Sequence, residues 1–236
     1  VVRERRAEPK ELDLVRAPAK AYPVSSRELE ADIGYVRVVT LRAGTAAEVR
    51  EQLARLQQNG VRKLVLDLRG CAVGEASEAV ETAGWLLEKG LITYLEGQRF
   101  PRQQFNADPS RTLWRGPVAV LIDASTTGAA EIVAAALLAH QRAEVIGEAT
   151  YGVGSVQKVI PLDDGAALIL SVAKYYTPSG QAIQDAGVEP SIAVEAPADL
   201  DAEVEFTPPV RPPLETDPVV RKALEVLRAK SPGPAG

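Results

Sequence analysis

The amino-acid sequence predicts an α/β domain. Short runs rich in Val, Ile and Leu recur along it, segments with helical spacing separate them, and glycines close several of the helical segments. Alternation of this kind builds a sheet covered by helices. A length of 236 residues suits one large domain with small appendages.

Each element follows from local chemistry. Residues 1–16 read as two short polar strands around Ala7, Glu8 and Pro9, a hairpin too small to stand alone. Residues 17–32, with Pro18 and Pro23, read as a connector. Residues 34–41 are β-branched and form the first core strand. Thr45 and Glu48 have capping-box spacing, Val49, Leu53 and Leu56 follow at helical spacing, and Gly60 is a suitable stop. Residues 63–69 (KLVLDLR) are a buried strand, 75–89 a second helix closed by Gly90, and 91–95 a third strand. Residues 97–116 carry no periodicity and read as a long surface loop. Residues 117–123 (PVAVLID) are a strand, 128–140 an alanine-rich helix buried on most sides, and 143–147 another strand. Residues 156–161 and 166–173 form a hairpin about Asp163, Asp164 and Gly165. Residues 198–216 hold four prolines and five acidic residues, a stiff linker. Asp217 and Pro218 then cap a final helix running to about Ala229, with Val219, Leu224 and Leu227 apolar, before a frayed tail.

Composition excludes several classes of function. Hydrophobic residues at 46% and charged residues at 25% argue against disorder over most of the chain. A net charge of -5 argues against nucleic acid as the main partner, which needs clustered Lys and Arg. The single cysteine, Cys71, rules out an intrachain disulfide, and the single histidine, His140, argues against a His/Cys metal site. No cofactor is expected. No apolar run approaches the length of a membrane span. With Val1 first and no methionine anywhere, the natural start is expected to have been removed. No signal peptide is recognised in this chain.

In order and spacing, these segments resemble the carboxyl-terminal processing, or tail-specific, proteases. These are serine peptidases with a Ser-Lys dyad on a crotonase-like α/β core. Residues 34–38 (GYVRV) resemble the family's first core strand and 64–70 (LVLDLRG) its LDLRG element. Residues 129–133 (AAEIV) sit where the nucleophile helix begins, and 151–157 (YGVGSVQ) resemble FGKGSVQ. Residues 174–180 (KYYTPSG) and 187–190 (GVEP) resemble the closing element. The likeness covers roughly residues 12–195. It implies three parts: 1–18 as the last hairpin of a truncated PDZ domain, 19–197 as the peptidase-like core, and 198–236 as linker and helix. It also implies an extracytoplasmic setting, in the periplasm or cell envelope, and polypeptide segments or C-termini as partners. A homo-oligomer or an active family member is a further expected partner.

The departures from the family pattern bear on function. The nucleophile position falls on Gly128 and the general-base position on Val153. The oxyanion loop reads Cys71, Ala72, Val73, Gly74 in place of NPGG, and only the orienting glutamine remains, as Gln157. A Ser-Lys peptidase needs an oxygen nucleophile and a desolvated amine to take its proton. Gly128 and Val153 supply neither. The resulting expectation is a peptide-binding or partner-binding pseudopeptidase, holding an added strand along Val156, Gln157 and Val159.

Two other readings remain open at this stage. A relocated nucleophile would draw on Ser125, Thr127 or Cys71; thioester chemistry on the crotonase-like core would rest on fold analogy alone. Plainer roles compete at each residue. Ser125, Thr126 and Thr127 suit a helix N-terminus, Cys71 is packed, and Asp67 with Arg69 forms a structural pair. Gly152 and Gly154 suit a tight turn, Tyr175 and Tyr176 a half-buried strand, Lys174 a solvated face, and His140 a helix C-terminus.

Overall fold

The computed structural model describes residues 22–194 and 212–231. The proposed PDZ hairpin at 1–18 and most of the linker lie outside these residues. A six-stranded sheet forms the centre, in the order β1 (Val24–Glu30), β2 (Ile33–Val38), β3 (Lys63–Asp67), β6 (Val118–Ile122), β7 (Ala143–Gly147), β10 (Ile192–Ala193). All neighbours are parallel except β1, which pairs antiparallel with β2 at the edge. Every residue of β3 and β6 is buried. Their continuous apolar runs are what a parallel sheet covered on both faces demands.

Helices α1 (Thr45–Gln58), α2 (Ala76–Gly84) and α3 (Ala129–Ala139) cover one face, where Leu53, Leu56, Ala83, Ile132 and Val133 pack on Val36, Leu64, Leu66 and Val120. Helix α4 (Pro218–Ala229) covers the other, setting Val219, Val220, Ala223 and Leu227 against Tyr35, Val65, Ala119 and Leu121. Each fully buried side chain of this size contributes about 1.5–3 kcal/mol. Leu224, expected to be covered, is only partly so. A second, antiparallel sheet runs β5 (Phe100–Asn106), β4 (Leu91–Gly97), β9 (Ala167–Tyr176), β8 (Ser155–Pro161), with β8 outermost.

Four expectations need correction. Strand β1 occupies part of the expected connector; its largely polar sequence VSSRELE gave no apolar alternation. Strand β5 and a 3-10 turn at Pro109–Arg111 lie in the expected loop 97–116, again with mostly exposed side chains. Helix α2 ends at Gly84, well short of residue 89. Finally, the capping box at Thr45 and Glu48 does not form, because Gly44 takes the N-cap position in a left-handed conformation. The free N–H groups of Gly44 and Ala46 donate instead to the Glu78 carboxylate on α2, at 3.0 and 2.7 Å. At the far end, Asp217 caps α4 as expected, accepting from Val219 and Val220 N–H at 2.9 and 3.3 Å.

Candidate functional site

The site is built where β6 gives way to α3. The chain turns through residues 123–127, and Gly128 caps the helix with φ 63° and ψ -120°. Glycine adopts that conformation without steric cost. A Cβ added there would find open space, with the Val153 carbonyl oxygen the nearest atom at 4.0 Å. The two positions expected for nucleophile and base are therefore neighbours in space.

What joins them is Glu131, in the first turn of α3. Its side chain is fully buried. One carboxylate oxygen accepts from the N–H groups of Gly128 and Val153, both at 2.8 Å. The other accepts from the Gly152 N–H at 2.7 Å and from the Thr150 hydroxyl. Thr150 Oγ1 in turn accepts from Val188 N–H at 2.8 Å. A buried carboxylate is tolerated only with such a complement of donors. The sequence signal was present: a lone acid in the first turn of a helix that is otherwise Ala, Ile, Val and Leu.

The serine and threonine residues do not cap α3 as expected. The Thr126 hydroxyl is buried, accepts from the Asp123 amide at 3.0 Å and lies 3.1 Å from the Leu68 carbonyl. Thr127 donates its hydroxyl to the Ala72 carbonyl and its N–H to the Cys71 carbonyl, both at 3.1 Å. These bonds dock the 71–74 loop on the start of α3. Asp123 ties the same region together, accepting from Gly70 N–H at 2.9 Å and Ser125 N–H at 3.0 Å. Ser125 is exposed. Cys71 is buried, and that burial pushes its thiol up to about 12. A thiol held protonated in this way is a poor nucleophile.

Gly152 and Gly154 serve the tight packing of the base-position loop. A Cβ on Gly152 would stand 2.9 Å from the Gly187 amide nitrogen, and one on Gly154 2.8 Å from that of Gln184. The loop leads into β8, where a bulge separates Val156 from Gln157. Gln157 and Val159 are exposed and Val156 is half-buried. Lys174 is the cross-strand partner of Ser155, and its ammonium lies 4.0 Å from the Asp185 carboxylate, consistent with a solvated position. His140 caps α3 but bonds through Nε2 to the Leu91 carbonyl of β4, at 2.8 Å. Among the described residues there is no cluster of His, Cys, Asp and Glu able to hold a metal ion, and no helix long and apolar enough to cross a membrane.

The model of peptidase family S41 matches residues 32–194, which takes in the site and every strand except β1. The chain belongs to peptidase family S41. It is 38% identical over 188 residues to carboxyl-terminal-processing peptidase 2, chloroplastic, of Arabidopsis thaliana, covering 76% of this chain and 36% of that protein. It is 36% identical over 194 residues to the carboxy-terminal-processing protease of Bartonella bacilliformis, covering 80% and 44%. Among solved structures, the photosystem II D1 C-terminal processing protease superposes with a TM-score of 0.68 at 29% identity, over 75% of this chain and 49% of that one. The chain thus spans less than half the length of these S41 relatives. Tyr151 N–H, donating to the Thr126 carbonyl at 3.2 Å, completes the frame of this S41 site.

Proposed function

We propose that this S41 chain is a pseudopeptidase, binding polypeptide segments or C-termini without cleaving them. The observation that carries the reading is the adjacency of Gly128 and Val153: the turn, the helix start and the Glu131 clamp are all in place, and neither position holds a reactive atom. Residual rate from binding and oxyanion contacts alone is about a thousandfold over water, far below useful proteolysis. The open edge of β8, at Val156, Gln157 and Val159, supports an added peptide strand held by main-chain bonds that need no dyad. The core is read as crotonase-like, residues 1–18 as the end of a PDZ domain, and the setting as extracytoplasmic. A second copy or an active S41 protein is a further partner of this reading. A relocated nucleophile has less support: Cys71 is buried with its thiol pushed up, the Thr127 hydroxyl is bonded to the Ala72 carbonyl, and of the three candidates only Ser125 is exposed.

The test combines casein turnover with fluorophosphonate labelling. The parent chain and Gly128→Ser should show neither, while Gly128→Ser with Val153→Lys should label weakly. Turnover by the parent that disappears on changing Ser125, Thr127 or Cys71 to alanine would overturn the reading. Peptide binding is followed separately, by titrating an apolar-ended peptide and observing amide shifts over residues 155–160. The absence of such shifts at millimolar peptide would reject the groove.

A further inference from the structure

Around Gly128, three exposed large apolar side chains are brought to one place. Val73 is 52% exposed, Tyr151 71% and Val153 43%. Val73 belongs to the loop that Thr127 docks through its two bonds to Cys71 and Ala72. A Cβ on Gly74, the next residue, would stand 3.0 Å from Ala129 Cβ in the first turn of α3. Tyr151 is held to Thr126, and Val153 shares one oxygen of Glu131 with Gly128. Residues 71–74, 124–130 and 151–154 contain no charged side chain. Of the acids that border these segments, Glu131 is buried with its donors, Asp123 accepts from Gly70 and Ser125, and Glu75 is exposed. Where a Ser-Lys dyad would hold a base and a nucleophile, the chain presents an uncharged apolar surface to water. Single exposed apolar residues need no explanation, whereas clustered ones mark contact sites.

We infer that this cluster is the seat for one apolar side chain of an extended peptide whose main chain pairs with β8; the inference rests on the peptide-binding reading above. Continuity with the open edge identifies the occupant. Val153 lies two residues before Ser155, the first residue of β8, and β8 is the outermost strand of its sheet. The bond from Leu162 N–H to the Ala166 carbonyl, at 2.8 Å, sets the phase of the β8–β9 ladder. By the alternation of an antiparallel pair, Ile160 and Lys158 bond inward to β9, while Val159 and Gln157 turn their N–H and C=O groups outward. Pro161 also falls on the outward side, where it has no N–H to offer. Strand addition is therefore confined to the end of β8 next to Val153. A peptide held there continues toward Gly128, with a side chain over Val73, Tyr151 and Val153. A charged side chain at that point would lose water and find no counter-ion on these loops. An apolar one would be covered.

The experiment uses fluorescein-labelled ten-residue Thr/Ser peptides in which each position in turn carries Leu, Ser or Asp. They are titrated into the full chain by fluorescence anisotropy, with valine-methyl spectra recorded in parallel. At one position, Leu should bind at least tenfold tighter than Ser, about 1.4 kcal/mol, and Asp should bind weakest. The Val73 and Val153 methyl signals should shift together. Val73→Asp and Val153→Asp should each erase the preference for Leu while keeping the amide shifts at Gln157 and Val159. Equal affinity for Leu, Ser and Asp, with those amide shifts present, would overturn the seat and leave peptide binding standing. No binding by any peptide at millimolar concentration would remove both.

Discussion

The carboxylate of Asp217 lies 2.8 Å from the guanidinium of Arg69, and the same carboxylate caps α4. The other side of the guanidinium is held by Asp67, through bonds of 3.0 and 2.8 Å, and Tyr35 donates its hydroxyl to Asp67 at 2.6 Å. All three charged side chains are buried. Arg69 thus fastens the C-terminal helix to the central sheet, one residue before the glycine that opens the 71–74 loop.

Removing one partner from a buried ion pair costs about 3–5 kcal/mol, because the other charge is left without compensation. Asp217→Ala also strips α4 of its cap, about 0.5–2 kcal/mol more. The Asp217 oxygen facing Arg69 makes an ion pair without a well-aligned hydrogen bond, which places the expected loss toward the lower figure. Urea unfolding of Asp217→Ala should show a loss of at least about 3 kcal/mol. A change under 1 kcal/mol would mean that α4 docks by its apolar face alone.

The same cluster sets a pH dependence. Burial would push the Asp67 carboxyl up, but the hydrogen bonds and charge of Arg69, with the Tyr35 hydroxyl, outweigh it and hold the carboxyl below its ordinary range. A carboxyl depressed in the folded state stabilises the fold above its unfolded value, about 3.9. That stability is lost as pH falls through the folded value. Unfolding free energy should therefore fall steeply only below about pH 4. In Arg69→Met the burial effect is opposed only by the Tyr35 hydroxyl and the main-chain N–H of residue 69, so the Asp67 carboxyl moves up. A carboxyl raised in the folded state stabilises the fold as pH falls, so the loss below about pH 4 should be smaller than in the parent. An identical acid limb in both proteins would exclude Asp67 as its source.

Cys71 offers a simple check on the packing of the 71–74 loop. A thiol whose folded value is pushed up to about 12 carries almost no thiolate at pH 8, and reactivity follows the thiolate. Native protein at pH 8 should resist a disulfide reagent that labels the urea-unfolded chain within minutes. Rapid labelling of the native chain would show an open loop and restore Cys71 as a candidate nucleophile.

Sequence and structure agree where burial is uniform and part where it is not. β3 and β6 are legible because every residue is apolar or paired, and α4 because Asp217 and Pro218 mark its start. β1 and β5 escape because edge strands with exposed side chains have no alternation to read. The helix starts mislead for a different reason. Capping of α1 by Glu78 is a tertiary contact across 32 residues, invisible to a local spacing rule. Gly128 and Val153 were legible as positions through family resemblance, but their proximity depends on Glu131, whose four donors lie at Gly128 and on the separate segment 150–153.

Glu131 supplies the last prediction. Its carboxylate satisfies the N–H groups of Gly128, Gly152 and Val153 and the Thr150 hydroxyl. Each buried donor left without a partner costs about 1–3 kcal/mol, so Glu131→Ala should be among the most damaging single changes in the chain. Glu131→Gln keeps one acceptor oxygen of similar shape and replaces the other with a donor. It faces Gly128 and Val153, or Gly152 and Thr150, with the wrong polarity on one side only. The glutamine variant should therefore fold, with a lower melting temperature and faster amide exchange at one of those two pairs. Peptide binding along β8 should weaken with it, because the loop that leads into Ser155 is no longer fixed to α3. Normal exchange at all three amides in Glu131→Gln would show that the loop is held by the close packing of Gly152 and Gly154 against residues 184–187, with the carboxylate a bystander.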